Sequence, residues 1–364
     1  MYSLRVPQKS VEDRPSIQTV AALWSELQME RPSSAPPIVR VSMLGHGGLT
    51  RQKTLRKAGK SKTLVVAVDG SRMSFRAVKL AAWLCDGADR VKTVCVPMGG
   101  LNSTEAVAII KEAEQLLKMC GVPHTAIVPG QVIPIAEGAT LTETLCHAAK
   151  GGHLLLGAGG KRISEAKGGQ AANAVGSVSL ACMRASHAPV ILAKPKGTPK
   201  LDTTHGMEQR ASGAASNTTV IAVDGSWISQ KCFDMAVRFV KAGDEVIALH
   251  IVNTDVSMTR QDIAANSLLG DRAIASYYEN ECAKATMAGD PQCNFRFATC
   301  KLERGGSVAQ TILDFTESVL ADLVILGSIE LGKPRDGADA IGSVCDAVAR
   351  KTAAHVLVAK HFAS

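Results

Sequence analysis

The sequence predicts an α/β protein with two parallel sheets of five strands each, arranged in tandem. The first observation behind this prediction is that short aliphatic runs alternate with segments of helical periodicity, which is typical of parallel βαβ units. The second is that the alternation occurs twice: LVVAVDGS at 64–71 returns as TVIAVDGS at 219–226. The third is the composition, since hydrophobic residues make up 46% of the chain and aromatic residues only 4%. Aliphatic content of this kind favours parallel sheets covered by helices.

Two further blocks of sequence support a duplication. Gly176-Ser177-Val178 returns as Gly342-Ser343-Val344, and VILAK at 190–194 returns as VLVAK at 356–360. The offset is 155 residues at the first block and 166 at these two, so the second copy contains about eleven extra residues. Three matched blocks in the same order indicate a repeated unit of roughly 140 residues.

The first copy, residues 63–194, is predicted to alternate five strands with four helices. Its strands are expected at 63–69, 91–96, 124–128, 153–157 and 189–193. Its helices are expected at 71–86, 103–120, 138–149 and 174–187. Ser71 is the expected N-cap of the first helix, since a serine hydroxyl accepts from the open N–H groups of a first turn.

The second copy, residues 218–364, is predicted to repeat this order. Its strands are expected near 219–223, 245–251, 294–301, 322–327 and 355–359. Its helices are expected near 226–242, 260–288, 305–320 and 339–352.

Residues 1–62 and 195–217 are predicted to lie outside the repeats, as an arm and a linker. Residues 1–60 contain ten Lys and Arg against four Asp and Glu, so they carry most of the net charge of +8. We expect a basic, mostly irregular arm, either solvated or in contact with an acidic partner. A short amphipathic helix is expected within it, on a face shared by Ile17, Val20, Ala21, Trp24 and Leu27.

Several classes of protein are disfavoured. The ten cysteines form no CxxC pair, which favours reduced core thiols over disulfides or zinc ligands. No signal peptide and no apolar run of about 18 residues occur, so we expect a cytoplasmic protein without a membrane span. The nine histidines show no HxxxH or HExxH spacing, so no structural metal is expected. GxxxxGK[ST] and a complete GxGxxG are also missing, which disfavours those nucleotide folds.

Two segments of the first copy should meet at one edge of its sheet. Ligands of an open parallel sheet bind beyond the carboxyl ends of the strands. Val68-Asp69-Gly70-Ser71 follows the first strand, and a glycine-rich loop at 157–162 follows the fourth. Gly176-Ser177 then begins a helix, whose N-terminus favours anions. Each motif also occurs as an ordinary turn or cap, but their combination, found twice in the same order, indicates a phosphate-binding cleft.

A strand that ends in Asp and is followed much later by G-x2-G-x9-G-[S/T] resembles the universal stress protein family. The resemblance covers both repeats and implies two doubly wound sheets in tandem, each of strand order 3-2-1-4-5. It also implies an adenine nucleotide, ATP or AMP, with Mg²⁺ accompanying ATP. In the ATP-binding branch, Asp69 would hold the ribose, while Val68 and Val96 would flank adenine. The phosphates would follow Gly157, Gly160, Gly176, Ser177 and Ser179.

Both copies depart from the family pattern. In the first, fifteen residues rather than nine separate Gly160 from Gly176. In the second, Glu330 replaces the second motif glycine, and a carboxylate repels phosphates in a poorly hydrated cleft. We therefore predict that the first repeat binds nucleotide better than the weaker second site, formed by Asp224, Gly327, Gly342 and Ser343.

Three functions are compatible with these features. The first is a nucleotide-binding regulatory or stress-response module. The second is a structural or adaptor component of a larger assembly, for example ciliary or cytoskeletal, that has lost the nucleotide and binds an acidic protein through residues 1–60; nucleic acid is the less favoured partner. The third, a weak ATPase, is the least favoured because no catalytic base can be assigned. We further predict an intramolecular pseudo-dimer in which the apolar strands 189–193 and 355–359 lie against each other.

Overall fold

The structure, a computed structural model, describes both repeats apart from some of their loops. The described residues are 61–98, 100–159, 175–195, 215–252, 270–288, 293–328 and 341–360, with residues 203, 206, 207 and 209 of the linker. The predicted arm up to residue 60, its amphipathic helix and most of the linker lie outside this part of the chain.

Within the described residues, the first repeat consists of five strands and four α-helices. They are β1 (Thr63–Ala67), α1 (Arg72–Leu84), β2 (Arg90–Cys95), α2 (Ser103–Met119), β3 (Ile127–Val132), α3 (Leu141–Ala148), β4 (His153–Gly157), α4 (Ser177–Ala185) and β5 (Val190–Ala193). The second repeat has the same order, with β6 (Thr218–Val223), α5 (Trp227–Phe239), β7 (Glu245–Val252), α6 (Asp271–Ala288), β8 (Asn294–Lys301), α7 (Val308–Ser318), β9 (Leu323–Gly327), α8 (Ser343–Lys351) and β10 (His355–Ala359). The predicted order of elements is confirmed.

The strands form one continuous sheet in the order β3-β2-β1-β4-β5-β10-β9-β6-β7-β8. Each half has the predicted order 3-2-1-4-5, with parallel neighbours throughout. The prediction of two sheets needs one refinement, because β5 and β10 pair antiparallel, with Ile191 opposite Leu357, and so join the halves. Both strands are fully buried, and their backbone N–H and C=O groups need partners that only another strand supplies in an apolar setting.

Strand β3 lies further along the chain than predicted. A 3₁₀ turn occupies His124–Ala126, and the strand runs from Ile127 to Val132 instead of over 124–128. The predicted strand stopped before Pro129 and Gly130, and the observed strand includes both. Because β3 is the outermost strand of its half, a residue without an N–H is tolerated there. Gly130 is required by packing, since a Cβ at this position would lie 2.3 Å from Ile110 Cγ2.

The helices begin where side chains can cap them. Ser71 is the N-cap of α1, as predicted, and its hydroxyl accepts from the Ser74 N–H at 3.1 Å. Helix α3 starts three residues later than predicted because Thr140 forms a capping box with Glu143. Of the helix predicted at 260–288, residues 271–288 are helical, and residues 253–269 lie outside the described part.

A pair of buried lysines links the two halves beside the central seam. Lys194, at the end of β5, donates from Nζ to the Arg350 carbonyl oxygen of α8 at 3.3 Å. Lys360, at the end of β10, reaches the opposite way and donates to the carbonyl oxygens of Met183 and Arg184 on α4. Each lysine therefore bonds the C-terminal turn of the other repeat's last helix, where a cation also complements the helix dipole. Burial lowers the pKa of Lys194 to about 8.

A buried aspartate repeats at the start of each half. Asp89 accepts from the backbone N–H groups of Lys62 at 3.2 Å and Asp86 at 2.7 Å. Asp244 accepts in the same way from Asn217 and Lys241, at 2.9 and 2.7 Å. These carboxylates tie the helix-to-strand turn to the beginning of the first strand of each repeat.

No helix in the described part of the chain is long and apolar enough to cross a membrane. The described residues also contain no group of three or more His, Cys, Asp or Glu side chains arranged to hold a metal ion.

Candidate functional site

The turn after β1 presents Asp69 at the carboxyl edge of the sheet. Asp69 is exposed, and its Oδ1 accepts from the Ser71 N–H at 2.9 Å. Gly70 adopts a φ of +77°, a conformation that favours glycine and lets the chain turn sharply into α1. Asp69 is an exposed residue, and no hydrogen bond to its Oδ2 occurs among the described residues, so this oxygen can accept from a ligand.

The end of β4 packs directly against the start of α1. A Cβ on Gly157 would lie 2.7 Å from the backbone carbon of Met73 and 2.8 Å from its carbonyl oxygen. Because these neighbours are backbone atoms, only glycine fits. Met73 is in the first turn of α1, which Ser71 caps, so the turn after β1 and the end of β4 meet as predicted.

Helix α4 is anchored to the same edge. The Gly176 N–H donates to the Ala158 carbonyl oxygen at 2.5 Å, and the buried Ser179 hydroxyl donates to the Gly157 carbonyl oxygen at 2.7 Å. Gly176 is the N-cap of α4 and supplies no side-chain cap. The first N–H groups of α4, next to the exposed Ser177, therefore lack the side-chain acceptor that most helices have there.

Apolar residues line the side of the cleft that faces β2. Val68 and Val96 are both buried, and the Val68 N–H donates to the Val94 carbonyl oxygen at 2.8 Å. Cys95, which the sequence argument did not include, is fully buried at the tip of β2. Its pKa is raised to about 11, first by burial and then by the charge of Asp69, which lies nearby.

The structure thus assembles seven of the eight residues predicted for the first site at one edge of the sheet. They are Val68, Asp69, Val96, Gly157, Gly176, Ser177 and Ser179. Gly160, the eighth, lies outside the described residues, as does the loop after it. The nucleotide-binding role of these residues remains a prediction.

The second cleft has the same framework, but its aspartate accepts one more hydrogen bond than Asp69 does. Asp224 Oδ1 accepts from the Ser226 N–H at 3.0 Å and also from the Ser226 hydroxyl at 2.5 Å. Gly342 donates its N–H to the Ser328 carbonyl oxygen at 2.8 Å, and Ser343 is exposed on the first turn of α8. Glu330, the predicted source of repulsion, lies outside the described residues.

Two further differences separate the second cleft from the first. The position of Ser179 is taken by Cys345, a buried thiol whose pKa rises to about 12 because of burial. A Cβ on Gly327 would meet the Ile228 side chain, 2.9 Å from Cγ2, rather than backbone atoms. A methyl group at position 327 would therefore meet a side chain that can move, whereas one at position 157 would meet backbone atoms.

A histidine that the sequence argument missed lies at the tip of β7. His250 is buried, its Nδ1 is 3.0 Å from the Val223 carbonyl oxygen, and its Nε2 is 2.9 Å from Asp271 Oδ1. At an offset of 155 it corresponds to Cys95 of the first repeat. The repeat offset is the signal that points to this position, because short histidine motifs such as HxxxH do not include His250.

The glycine contacts lead to a matched prediction. Gly157→Ala should reduce the free energy of unfolding by about 1–3 kcal/mol, because the new methyl group pushes against the α1 backbone. Gly327→Ala should cost less, because the Ile228 side chain can move. Urea unfolding of both variants measures the difference, and an equal or larger loss in Gly327→Ala would contradict the described packing.

Comparison with known proteins found one family model and several solved structures that this chain is similar to. The sequence model of the universal stress protein family matches residues 216–360. A universal stress protein from Archaeoglobus fulgidus DSM 4304 is 16% identical, over 84% of this chain and 98% of that chain, with a TM-score of 0.54. One from Lactobacillus plantarum is 22% identical, over 40% and 99% of the two chains, with a TM-score of 0.30. A universal stress protein in complex with cAMP is 22% identical, over 38% and 99%, with a TM-score of 0.28. A search of curated proteins found no match.

The predicted resemblance is confirmed at the level of sequence for the second repeat and at the level of fold for both. The match to the Archaeoglobus structure covers more of the chain than either repeat alone contains. Residues 216–360 therefore match the universal stress protein family in sequence, and the repeat that precedes them has the same order of strands in its half of the sheet.

Proposed function

We propose that this chain is a nucleotide-binding regulatory protein of the universal stress protein type. Its first repeat would take an adenine nucleotide, ATP or AMP, without efficient turnover, and would act in the cytoplasm. The observation that carries the proposal is the assembly of Asp69, Gly157 and the open N-terminus of α4 at one edge of the sheet.

The cleft contains a matching group for each part of an adenine nucleotide. An exposed carboxylate with a free oxygen, as on Asp69, accepts from ribose hydroxyl groups. Val68 and Val96 would flank the purine from the β1 and β2 side of the site, where both are apolar and almost fully buried. Phosphates would meet the uncapped N–H groups of α4 and the Ser177 hydroxyl, because a helix N-terminus favours anions.

Mg²⁺ is part of this proposal only if the bound nucleotide is ATP. Mg²⁺ prefers oxygen ligands and keeps several waters, so it is usually held by phosphates and one or two carboxylates. Asp69 would supply a carboxylate oxygen to the ion in place of its contact with the ribose, because its other oxygen already accepts from the Ser71 N–H. When bound, the ion would supply charge neutralisation of the phosphates.

Substitutions of the two aspartates can be compared directly, because each removes the same hydrogen bond within its turn. Asp69 and Asp224 hold equivalent turns, since each accepts from the serine two residues later. Asp69→Ala should weaken binding of ATP or AMP to the full-length chain by about 10- to 100-fold, the cost of losing a hydrogen bond to a charged group. Asp224→Ala should change it little.

Equilibrium dialysis with labelled ATP and AMP measures both variants beside the unmodified chain. The full-length chain is needed, because separating the repeats would expose β5 and β10. No retained nucleotide in the unmodified chain, or a larger loss in Asp224→Ala, would contradict the proposal. The structural or adaptor function through residues 1–60 would then be favoured.

A further inference from the structure

A groove with a volume of about 760 Å³ lies between α1 and α2, which pack against each other in the first repeat. Residues 72–79 of α1 form one wall, and residues 111–119 of α2 form the other. The volume is within the range of sites that hold small ligands. None of the described residues of the nucleotide site lines this groove, so it needs an explanation of its own.

Positive charge dominates the lining of the groove. Arg72, Arg76 and Lys79 follow one another at intervals of four and three residues, so they share one face of α1. Lys111 adds a fourth cation from α2, and Glu112 is the single carboxylate among the described lining residues. Four cations against one carboxylate give this lining a net charge of +3.

Three of the cations are available to a ligand. Within the described part of the chain, the side chains of Arg72, Lys79 and Lys111 form no hydrogen bond or ion pair. Arg72 and Lys111 are exposed, and Lys79 is half-buried. Arg76 is buried instead, and its Nε donates to the Lys194 carbonyl oxygen at 2.8 Å. Because like charges repel one another, an anionic group placed among them is attracted by several cations at once.

Apolar side chains line the same groove. Phe75 of α1 and Leu116 of α2 are half-buried, and both pack against the hydrophobic core. Met119, the last residue of α2, is 70% exposed. A methionine side chain adapts to the shape of an apolar partner, and grooves that bind amphipathic helices hold apolar anchors in this way. The groove therefore combines contacts for apolar side chains with charges that favour acidic ones.

The equivalent place in the second repeat differs in charge and in contacts. At the repeat offset of 155, Lys79 is replaced by Asp234 and Phe75 by Gln230. The Tyr277 hydroxyl of α6 donates to the Gln230 side chain of α5, so a polar contact joins the two helices there. The fold therefore does not require a cation or an aromatic ring at these positions, which favours a role in binding over a role in stability.

We propose that the groove between α1 and α2 is a docking surface for an acidic amphipathic helix of a partner protein. Arg72 and Lys79 are seven residues apart, which corresponds to about 10.5 Å along α1. Two carboxylates seven residues apart on the partner helix match this spacing. Apolar residues between those carboxylates meet Phe75, Leu116 and Met119, as in other complexes in which a helix lies in a groove.

Charge also distinguishes the possible occupants. Residues 1–60 of this chain contain ten Lys and Arg against four Asp and Glu, so the arm as a whole is not complementary to the groove. Its four acidic residues all lie within residues 12–30, so a peptide of this segment is the strictest competitor in a test. Docking of a partner does not require a nucleotide, so this proposal and the proposed function fail or succeed separately.

The test measures binding of a fluorescein-labelled peptide to the full-length chain by fluorescence anisotropy. The probe is an alanine-based peptide of about 18 residues, which is long enough to form a helix. It carries leucines on one face, between two glutamates seven residues apart. This peptide should bind saturably and more weakly as the salt concentration rises. The same peptide with lysines in place of the glutamates should not bind.

Two double variants provide the matched comparison. Arg72→Glu with Lys111→Glu should weaken binding of the probe by about tenfold or more, because two attractions become repulsions. Lys118→Glu with Lys150→Glu makes the same change in net charge at two exposed positions outside the groove, and should alter the affinity less than about twofold. Met119→Gln should weaken binding by about fivefold, through the loss of one apolar contact.

Other results would assign the groove differently. No saturable binding of the glutamate peptide, or equal weakening by both double variants, would overturn the proposal. Tighter binding of a peptide of residues 12–30 than of the probe would overturn it in favour of the chain's own arm. A dimer in sedimentation velocity that Arg72→Glu with Lys111→Glu abolishes would overturn it in favour of a second copy of the chain.

Discussion

Lowering the pH from 7 to 5 is expected to destabilise the folded chain by about 4 kcal/mol, because the fold keeps two histidines buried and neutral. Burial, followed by the charges of Lys62 and Arg238, lowers the pKa of His153 to about 4. Burial, followed by the charges of Arg76 and Lys194, lowers the pKa of His355 to about 3.

The hydrogen bonds of His355 agree with a neutral ring. Its Nδ1 accepts from the Lys194 backbone N–H at 3.0 Å, so this nitrogen cannot also carry a proton. Its buried Nε2 has no hydrogen-bond partner among the described residues. Protonation would therefore break one hydrogen bond and place a charge in an apolar setting.

The sign of the pH effect follows from these pKa values. In the unfolded chain a histidine binds a proton below about pH 6.5, whereas in the fold the two rings stay neutral until about pH 4 and pH 3. Between these limits the unfolded state binds more protons, so stability falls as the pH falls. Each histidine contributes about 2 kcal/mol of this loss at pH 5.

Urea unfolding at pH 7, 6 and 5 measures the dependence. The double variant His153→Gln, His355→Asn should lose most of it, because both amides stay neutral and the Asn oxygen can replace Nδ1 as acceptor. His124→Gln is the control, since His124 is an exposed histidine outside the core. An unchanged slope in the double variant would falsify the assignment of acid sensitivity to these rings.

Asp89→Ala is expected to reduce the free energy of unfolding by about 3–5 kcal/mol, the cost of removing one partner of a buried ion pair. Asp89 Oδ2 lies 2.5 Å from Lys62 Nζ, and both side chains are only 6% exposed. The substitution leaves the Lys62 ammonium buried and removes the acceptor of two backbone N–H groups. The Lys62 contacts with the Arg238 carbonyl oxygen and the Phe239 ring compensate only in part.

Asp346→Ala provides the comparison, because its pairs with Arg184 and Arg350 are far more exposed. It should cost about 0–1 kcal/mol. Adding Lys62→Met to Asp89→Ala should recover part of the loss, because the unpaired buried charge is then removed as well. Similar losses for Asp89→Ala and Asp346→Ala in chemical denaturation would show that burial does not set the strength of this pair.

The sequence was sufficient for the order of elements along the chain and for most of the first site, and the family resemblance that its motifs carry implied the strand order of each half. These features depend on local patterns that recur, such as the Asp-Gly-Ser turn after β1 and the Gly-Ser start of α4. Contacts between distant segments could not be read in the same way. The repeat offset of 155 relates Asp89 to Asp244, but the backbone groups that the two carboxylates bind are known only from the fold.

For the same reason, the pairing of β5 with β10 and the burial of the two lysines beside it could not be predicted in detail from the sequence. Because strands 189–193 and 355–359 are apolar, the sequence predicted that they lie against each other. It did not predict their register, which places Ile191 opposite Leu357. Lys194 and Lys360 end two matched sequence blocks, which gave no reason to expect that each is buried. Their ammonium groups find acceptors only because each helix ends beside the other repeat's last strand.

The seam between β5 and β10 also determines how the molecule responds to dilution. In a dimer of separate chains such a contact would weaken as the protein concentration fell. Here one polypeptide tethers both strands, so their local concentration is fixed by the linker and the contact is intramolecular. The two halves should stay joined at any concentration, and a second molecule that extends this sheet must add at β3 or at β8.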